Sequence, residues 1–302
     1  SADGPTLTGA ELTPVRTIKT MPAKGSTQPF QFVAAGDSRG GTPGIRENMP
    51  RLKEIDAEFW LFNGDMTDVG DEVQWDDWFD AMDPVLNRRG MMPVQGNHEM
   101  IAELYYWKFA LPRMEGLDEE FAEHGWSLDI GNLHLVGLDS NSEYYVEAQK
   151  EWLEADLAAA DADPDIDWIF VMFHHPAYSA SPKHGSTLRV IDHWLPLFEK
   201  YGVDLTFAGH DHDYERSKPI RADQIVDGDE GVVHIVAGGF FSPGYSNGQD
   251  WWTEISAHGD KGNYCVVKVN QDADGSPDSS RMTWICHSGD GNEILDQFAL
   301  TR

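Results

Sequence analysis

Short apolar runs, rich in β-branched and aromatic residues, recur along the chain from Phe30 onward. They are Phe30–Ala35, Glu58–Asn63, Met92–Gln95, Leu133–Asp139, Trp168–His174, Val203–Ala208, Val232–Ala237, Tyr264–Val269 and Arg281–Cys286. Between the earlier ones lie amphipathic stretches near 44–56, 72–87, 144–160 and 187–201, where apolar residues fall at helical spacing, as in Trp152, Leu153 and Leu157. Strands alternating with helices predict an α/β protein. The last third has strand runs without helices between them, so part of the sheet is expected to be antiparallel. Residues 1–29, rich in Thr, Pro, Gly and Ser, read as an extended N-terminal arm. No repeat or linker interrupts 30–302, which reads as a single domain. Residues 238–263 read as a long structureless insert. It is too aromatic for a disordered tail and is therefore a candidate functional loop.

Composition narrows the classes. The chain has 302 residues, 40% hydrophobic, with eleven Trp, which is enough to bury a large core. No apolar run is long enough to span a membrane. Lys and Arg number 22 against 52 Asp and Glu, a formal charge of −30. That field disfavours non-specific binding to nucleic acid. The acidity has two readings, a solvated acidic surface or a set of cation sites, and the first accounts for most of it. An anionic substrate would need bound cations to reverse the field locally.

Metal-competent residues follow five of the apolar runs: Gly36-Asp37-Ser38-Arg39, Asn63-Gly64-Asp65-Met66-Thr67-Asp68, Gly96-Asn97-His98-Glu99, His174-His175-Pro176 and Gly209-His210-Asp211-His212. Ligands of open α/β sheets gather beyond the carboxyl ends of strands. Five such ends carrying Asp, Asn and His describe one cluster in space. Carboxylate, amide and imidazole oxygen and nitrogen donors suit Mn, Zn, Fe or Mg, and one carboxylate can bridge two cations.

This set of motifs resembles the calcineurin-like metallophosphoesterase superfamily over about residues 30–240. The run Gly209-His210-Asp211-His212-Asp213-Tyr214-Glu215-Arg216-Ser217, with Val171-x-x-His174, resembles its purple acid phosphatase branch. The resemblance implies a four-layer αββα sandwich with mixed sheets and a dinuclear centre. By position, one metal would take Asp37, Asp65 and His212, and the other Asp65, Asn97, His174 and His210. His98 would contact phosphate or protonate the leaving group, and His184 would touch substrate, with His175 a weaker candidate. Two departures stand out. Arg39 replaces the usual His of the first motif and cannot ligate, but its fork suits phosphate. Asp68 stands where the purple branch has Tyr, and either ligates or braces its loop. No purple charge-transfer band is expected without a tyrosinate ligand.

The resemblance implies metal-dependent hydrolysis of a small phosphate ester, most readily a phosphomonoester. Two alternatives remain open. One is a phosphodiesterase or nucleotide hydrolase, with Phe241, Tyr245, Trp251 and Trp252 of the aromatic loop contacting substrate. The other is a binding or assembly protein with a weakened metal site.

Competing motifs carry less. Gly244-Tyr245-Ser246-Asn247-Gly248 matches a nucleophile elbow but lacks a preceding strand and a following helix. Asn270-x-Asp272-x-Asp274-Gly275 starts like an EF-hand but has Arg281 at its twelfth position, so a hairpin turn is expected. No dinucleotide or P-loop signature occurs. His124, His134, His193, His234, His258 and His287 read as structural. Strands around Cys265 and Cys286 should form a hairpin about 275–276 that places the two Cys opposite each other. They then form either a cross-strand disulfide or two buried thiols. A disulfide favours a secreted or periplasmic location, and the sequence does not set the oligomeric state.

Overall fold

The computed structural model describes residues 17–99, 103–118, 121–228, 230–257 and 262–302. In chain order the elements are β1 (Phe30–Ala35), α1 (Thr42–Leu52), β2 (Phe59–Phe62), α2 (Glu72–Leu86), β3 (Gly90–Pro93), α3 (Glu103–Lys108), β4 (Trp126–Ile130), β5 (Leu133–Gly137), α4 (Glu143–Asp161) and β6 (Trp168–Met172). They continue with α5 (Leu188–His193), α6 (Leu195–Lys200), β7 (Leu205–Ala208), β8 (Tyr214–Ser217), β9 (Ile220–Arg221), β10 (Gln224–Ile225), β11 (Val233–Ala237), β12 (Thr253–Ala257), β13 (Asn263–Gln271), β14 (Pro277–Ser288) and β15 (Ile294–Thr301). One sheet runs β15-β14-β13-β1-β2-β3 and a second runs β12-β8-β11-β7-β6-β5-β4. Both are mixed: β1, β2 and β3 are parallel, as are β5, β6, β7 and β11, while β13, β14 and β15 are antiparallel.

The continuous apolar strands follow from burial on both faces. In β1, Phe32 and Ala34 point into a core shared with Leu133, Phe170, Phe207 and Ile235 of the second sheet. Val33 and Ala35 point the other way, onto Ile45 of α1 and Trp75 and Trp78 of α2. In the second sheet, Ile169 and Val171 face Val146, Leu153 and Leu157 of α4 and Phe198 of α6. The layers are therefore helix, sheet, sheet and helix, as the resemblance implied. Asp71 caps α2 by accepting from the Gln74 N–H at 2.8 Å, and Ser142 caps α4 through the Tyr145 N–H at 3.2 Å.

Some boundaries differ from those read in the sequence. The stretch near 187–201 is two short helices, because Pro196 has no N–H to continue α5 and instead sits in the first turn of α6. The insert 238–263 is not structureless: β12 lies within it and pairs with β8. Strand β3 starts two residues early, and β4, β8, β12 and β15 and helix α3 carried too weak a pattern to read. The turn around 272–276 is a hairpin loop, with the Gly275 N–H donating to the Asp272 carbonyl at 2.9 Å. Cys265 and Cys286 are directly opposed in β13 and β14 and form a disulfide.

Residues 1–16 of the expected arm lie outside the described residues. Residues 17–29 form neither helix nor strand but are tied down. Lys24 pairs with Asp129 at 2.8 Å and Asp163 at 2.6 Å. The Gly25 N–H donates to Gly131 at 2.8 Å. Among the described residues, no helix is long and apolar enough to cross a membrane.

Candidate metal centre

The carboxyl ends of β1, β2 and β3 in one sheet and of β6 and β7 in the other converge. One ligand atom each from Asp37, Asp65 and His174 lies within 4.8 Å of the others, and the same holds for His174, His175 and His210. Asp37, Asp65 and His210 all take left-handed backbone angles, with φ of 56°, 54° and 69°. This is costly for residues with a Cβ and persists only where surrounding bonds impose it. The bonds are present. Asp37 donates its N–H to Gly64 at 2.9 Å, and its carboxylate accepts from the His210 N–H at 3.0 Å. The loops touch so closely that a Cβ on Gly209 would lie 2.1 Å from Asp37 Oδ2, and one on Gly96 would lie 2.1 Å from Asp65 Oδ1.

Two imidazoles are set up as donors of a lone pair. His174 Nδ1–H donates to the Asn63 carbonyl at 2.8 Å. Its Nε2 then faces Asn97 Oδ1 at 3.0 Å and Asp65 Oδ1 at 3.4 Å. His212 Nδ1–H donates to the Pro243 carbonyl at 2.8 Å. Its Nε2 lies 3.5 Å from Asp37 Oδ1 and is buried without a hydrogen-bond partner. A bare nitrogen facing a carboxylate oxygen is repulsive unless a cation or a proton lies between them. Carbonyl groups that fix the other ring nitrogen are the usual way a metal-binding imidazole is oriented. The donor set therefore fits metal ions at both imidazoles.

Electrostatics agree. Burial opposes ionisation of Asp65, but His174 and the His98 N–H outweigh it and hold the carboxylate well below its ordinary range. Burial likewise opposes a charged His174, yet Asp65 and Asp37 push its pKa up to about 9, so this position demands positive charge. His210 is pushed down, first by burial and then by His174, which leaves its imidazole neutral.

Glu99, at the end of the Gly96–Glu99 motif, braces the centre. It is fully buried. It accepts the N–H groups of Asp65 at 2.8 Å, Gly96 at 3.0 Å and Thr67 at 2.9 Å, and the Thr67 hydroxyl at 3.3 Å. Burial and the nearby Asp65 raise its pKa to about 7. The motif contained this residue, but nothing in the spacing showed that it would tie the loops after β2 and β3 together.

The remaining candidates divide. His98 donates Nδ1–H to the Asp68 carbonyl at 2.6 Å, leaving Nε2 3.8 Å from Asp65 Oδ2. Arg39 Nε lies 3.6 Å from Asp65 Oδ2, and its fork donates to the Tyr245 hydroxyl at 2.6 Å. The Asp68 side chain is exposed and lies 3.5 Å from Arg39, an arrangement that braces the loop. The His184 ring packs 4.1 Å from that of His210. His175 is held by the Ser140 hydroxyl at 3.0 Å. Of the aromatic loop, Tyr245 reaches the centre, its ring stacked 4.2 Å from His212 and its N–H bonded to the His212 carbonyl at 2.8 Å. Phe241 packs against Gly44 of α1, while Trp251 and Trp252 pack on Tyr178 and on each other. Those three are not brought to the cluster. His124, His134, His193 and His234 bond Asp139, Asp129 with Asp156, Glu143, and Thr206 respectively. His287 stacks on Tyr264. His258 lies outside the described residues.

Every converging loop falls within residues 30–214, the segment matched by the family model for calcineurin-like phosphoesterases. The chain belongs to the calcineurin-like phosphoesterase family. Among curated relatives of this phosphoesterase chain, it is 31% identical over 238 residues to an uncharacterized protein of Mycobacterium tuberculosis, covering 66% of this chain and 45% of that one. It is 30% identical over 216 residues to purple acid phosphatase 21 of Arabidopsis thaliana, covering 67% and 48%. The phosphoesterase chain thus spans about half the length of the curated relatives it matches. Its fold resembles that of the purple acid phosphatase PPD1 from yellow lupin seeds, with a TM-score of 0.75 at 18% identity over 93% of this chain and 55% of that one.

Proposed function

We propose that the chain hydrolyses phosphoric monoesters at a pair of metal ions. One would be held by Asp37, Asp65 and His212, the other by Asp65, Asn97, His174 and His210, with Asp65 shared. The observation that carries this reading is the pair of carbonyl-oriented imidazoles, His174 and His212, whose Nε2 atoms face buried carboxylates. Bound there, the ions would offset phosphate charge and supply hydroxide at neutral pH.

The chain's own groups set the rest. Arg39, anchored by Tyr245, directs its remaining donors at a phosphoryl oxygen. His98 has Nδ1 committed to the Asp68 carbonyl, so Nε2 is the nitrogen that exchanges a proton with the leaving oxygen. His184, beside His210, adds a third donor. This density of donors suits a terminal phosphoryl group with two charges better than a diester with one. Residues 30–302 act as one unit in this reading, because β13 to β15 complete the sheet that carries Asp37 and Asp65. The disulfide supports an oxidising, extracytoplasmic location.

The test is Asp65→Ala, with elemental analysis and turnover of phenyl phosphate and bis(4-nitrophenyl) phosphate. Loss of metal together with a fall of more than about 10³-fold in turnover is expected, because one carboxylate serves both ions. Turnover near that of the parent refutes the two-metal reading, and faster diester than monoester hydrolysis by the parent refutes the substrate class.

A further inference from the structure

We infer that the substrate's leaving group carries an anionic group of its own, bound in a cavity beside the metal centre. The inference rests on the hydrolytic reading above and names the substrate more closely. The cavity has a volume of about 610 Å³ and is lined by Glu143, His175, Lys183, His184, Arg189 and His210, among others. His175 and His210 also belong to the metal-competent cluster with His174, so the cavity opens directly onto the centre.

Its charge runs against that of the chain. Several of the chain's cations are paired with a carboxylate, as Lys24, Arg46, Lys200 and Arg216 are. Arg189 is not. Its Nε donates to the Ser140 carbonyl at 2.8 Å, and no carboxylate pairs with its guanidinium among the described residues. Ser140 also holds His175 through its hydroxyl, so one residue positions both. Lys183 sits over the Tyr245 ring, with Nζ 5.6 Å from its centroid, again without a carboxylate partner among the described residues. Glu143 is engaged by His193 at 2.5 Å and, with Asp139, acts on Arg189 through space without an ion-pair contact. A fixed fork and an ammonium at one mouth suit a carboxylate or a phosphate. They line the same cavity as His175 and His210, beside the centre that would hold the phosphoryl group.

Three esters test this: phenyl phosphate, 3-carboxyphenyl phosphate and benzene-1,3-diyl bisphosphate, assayed with the parent protein and with a Lys183→Gln/Arg189→Gln variant. The parent should favour at least one anionic ester over phenyl phosphate by about tenfold in kcat/KM, the size of one charge-assisted contact in a partly open site. The variant should bring that ratio near one, and the ester with the larger ratio distinguishes carboxylate from phosphate. A ratio of one or less in the parent, or a ratio unchanged in the variant, overturns the inference. If no ester is hydrolysed, the hydrolytic reading fails instead. The same ratios taken from calorimetric Kd values then judge the cavity by the same criteria.

Discussion

Glu99 offers the most direct measure of how the metal loops are held. Its Oε2 takes the N–H groups of Asp65 and Gly96, and its Oε1 takes the N–H and hydroxyl of Thr67. In Glu99→Ala, three buried N–H groups lose their acceptor, at about 1–3 kcal/mol each. A total of about 3–9 kcal/mol is a large share of the 5–15 kcal/mol typical of a folded protein. Glu99→Gln is the finer probe. The amide can keep its oxygen on the Asp65 and Gly96 N–H groups and turn its nitrogen towards the Thr67 hydroxyl. Only the Thr67 N–H is then orphaned, and the surviving bonds lose the strength of a charged acceptor. The cost should be about 2 kcal/mol, partly offset by relief of repulsion between Glu99 and Asp65.

At roughly 2 °C of Tm per kcal/mol for a chain of this size, Glu99→Gln should melt about 4 °C below the parent and Glu99→Ala at least about 6 °C below. The same bonds keep Asp65 at a φ of 54°, so metal content should fall in both variants, more in the alanine. Scanning calorimetry and elemental analysis of the purified proteins measure the two effects. A Glu99→Gln protein within 1 °C of the parent and with full metal content would refute the bracing role.

Two further perturbations lie away from the centre. A Cys265→Ser/Cys286→Ser chain releases a link between residues 21 apart, worth about 3 kcal/mol by loop entropy, and should melt several degrees lower. Thiol counting of the denatured, unreduced parent should find no free thiol, and two per chain would remove the disulfide. His134 bonds Asp129 at 2.7 Å and Asp156 at 3.0 Å. Burial works against its charge, but the carboxylates raise its pKa to about 9 from an ordinary 6.5. The contribution is thus complete below pH 6.5 and is lost as pH rises through about 9, an upper bound of about 3 kcal/mol. His134→Gln should flatten the parent's fall in urea stability between pH 6.5 and 9.5, and an unchanged slope would show that the imidazole is uncharged.

What was legible in the sequence follows from where each element sits. The strands read correctly are mostly interior ones, buried on both faces by helices and by the opposite sheet, so their apolar signal is continuous. Strands β4, β12 and β15 are edges of their sheets, and β3 is another. An edge strand has one neighbour and a more exposed face, and sequences such as Thr253–Ala257 and Ile294–Thr301 mix polar and apolar residues without a clean period. Strand β8 is interior, yet it carries Glu215 and Arg216. Their charges are met by Ser179 and the Ala180 N–H, and by Asp296 in β15, partners 35 to 80 residues away. No local window contains that compensation.

The centre shows the same division at finer scale. Asp37, Asp65, Asn97, His174, His210 and His212 were legible because each directly follows a strand, and the strand ends are brought together by the sheets. Their orientation was not. The carbonyl that fixes His212 belongs to Pro243, 31 residues downstream, and the hydroxyl that anchors Arg39 belongs to Tyr245, 206 residues away. Both lie in the insert 238–263, which its length and aromatic content marked as functional without showing which groups it would hold. The departure at position 39 also gains a physical meaning. A His there would offer a ligand nitrogen, whereas Arg39 places a fixed positive charge 3.6 Å from the Asp65 carboxylate and is itself tied to Tyr245. In the two-metal reading proposed above, a cation held beside Asp65 would weaken that carboxylate's pull on the first metal and strengthen the site's pull on phosphate. On that reading, Arg in place of a ligating His would shift the balance of the centre from holding metal towards holding an anionic substrate.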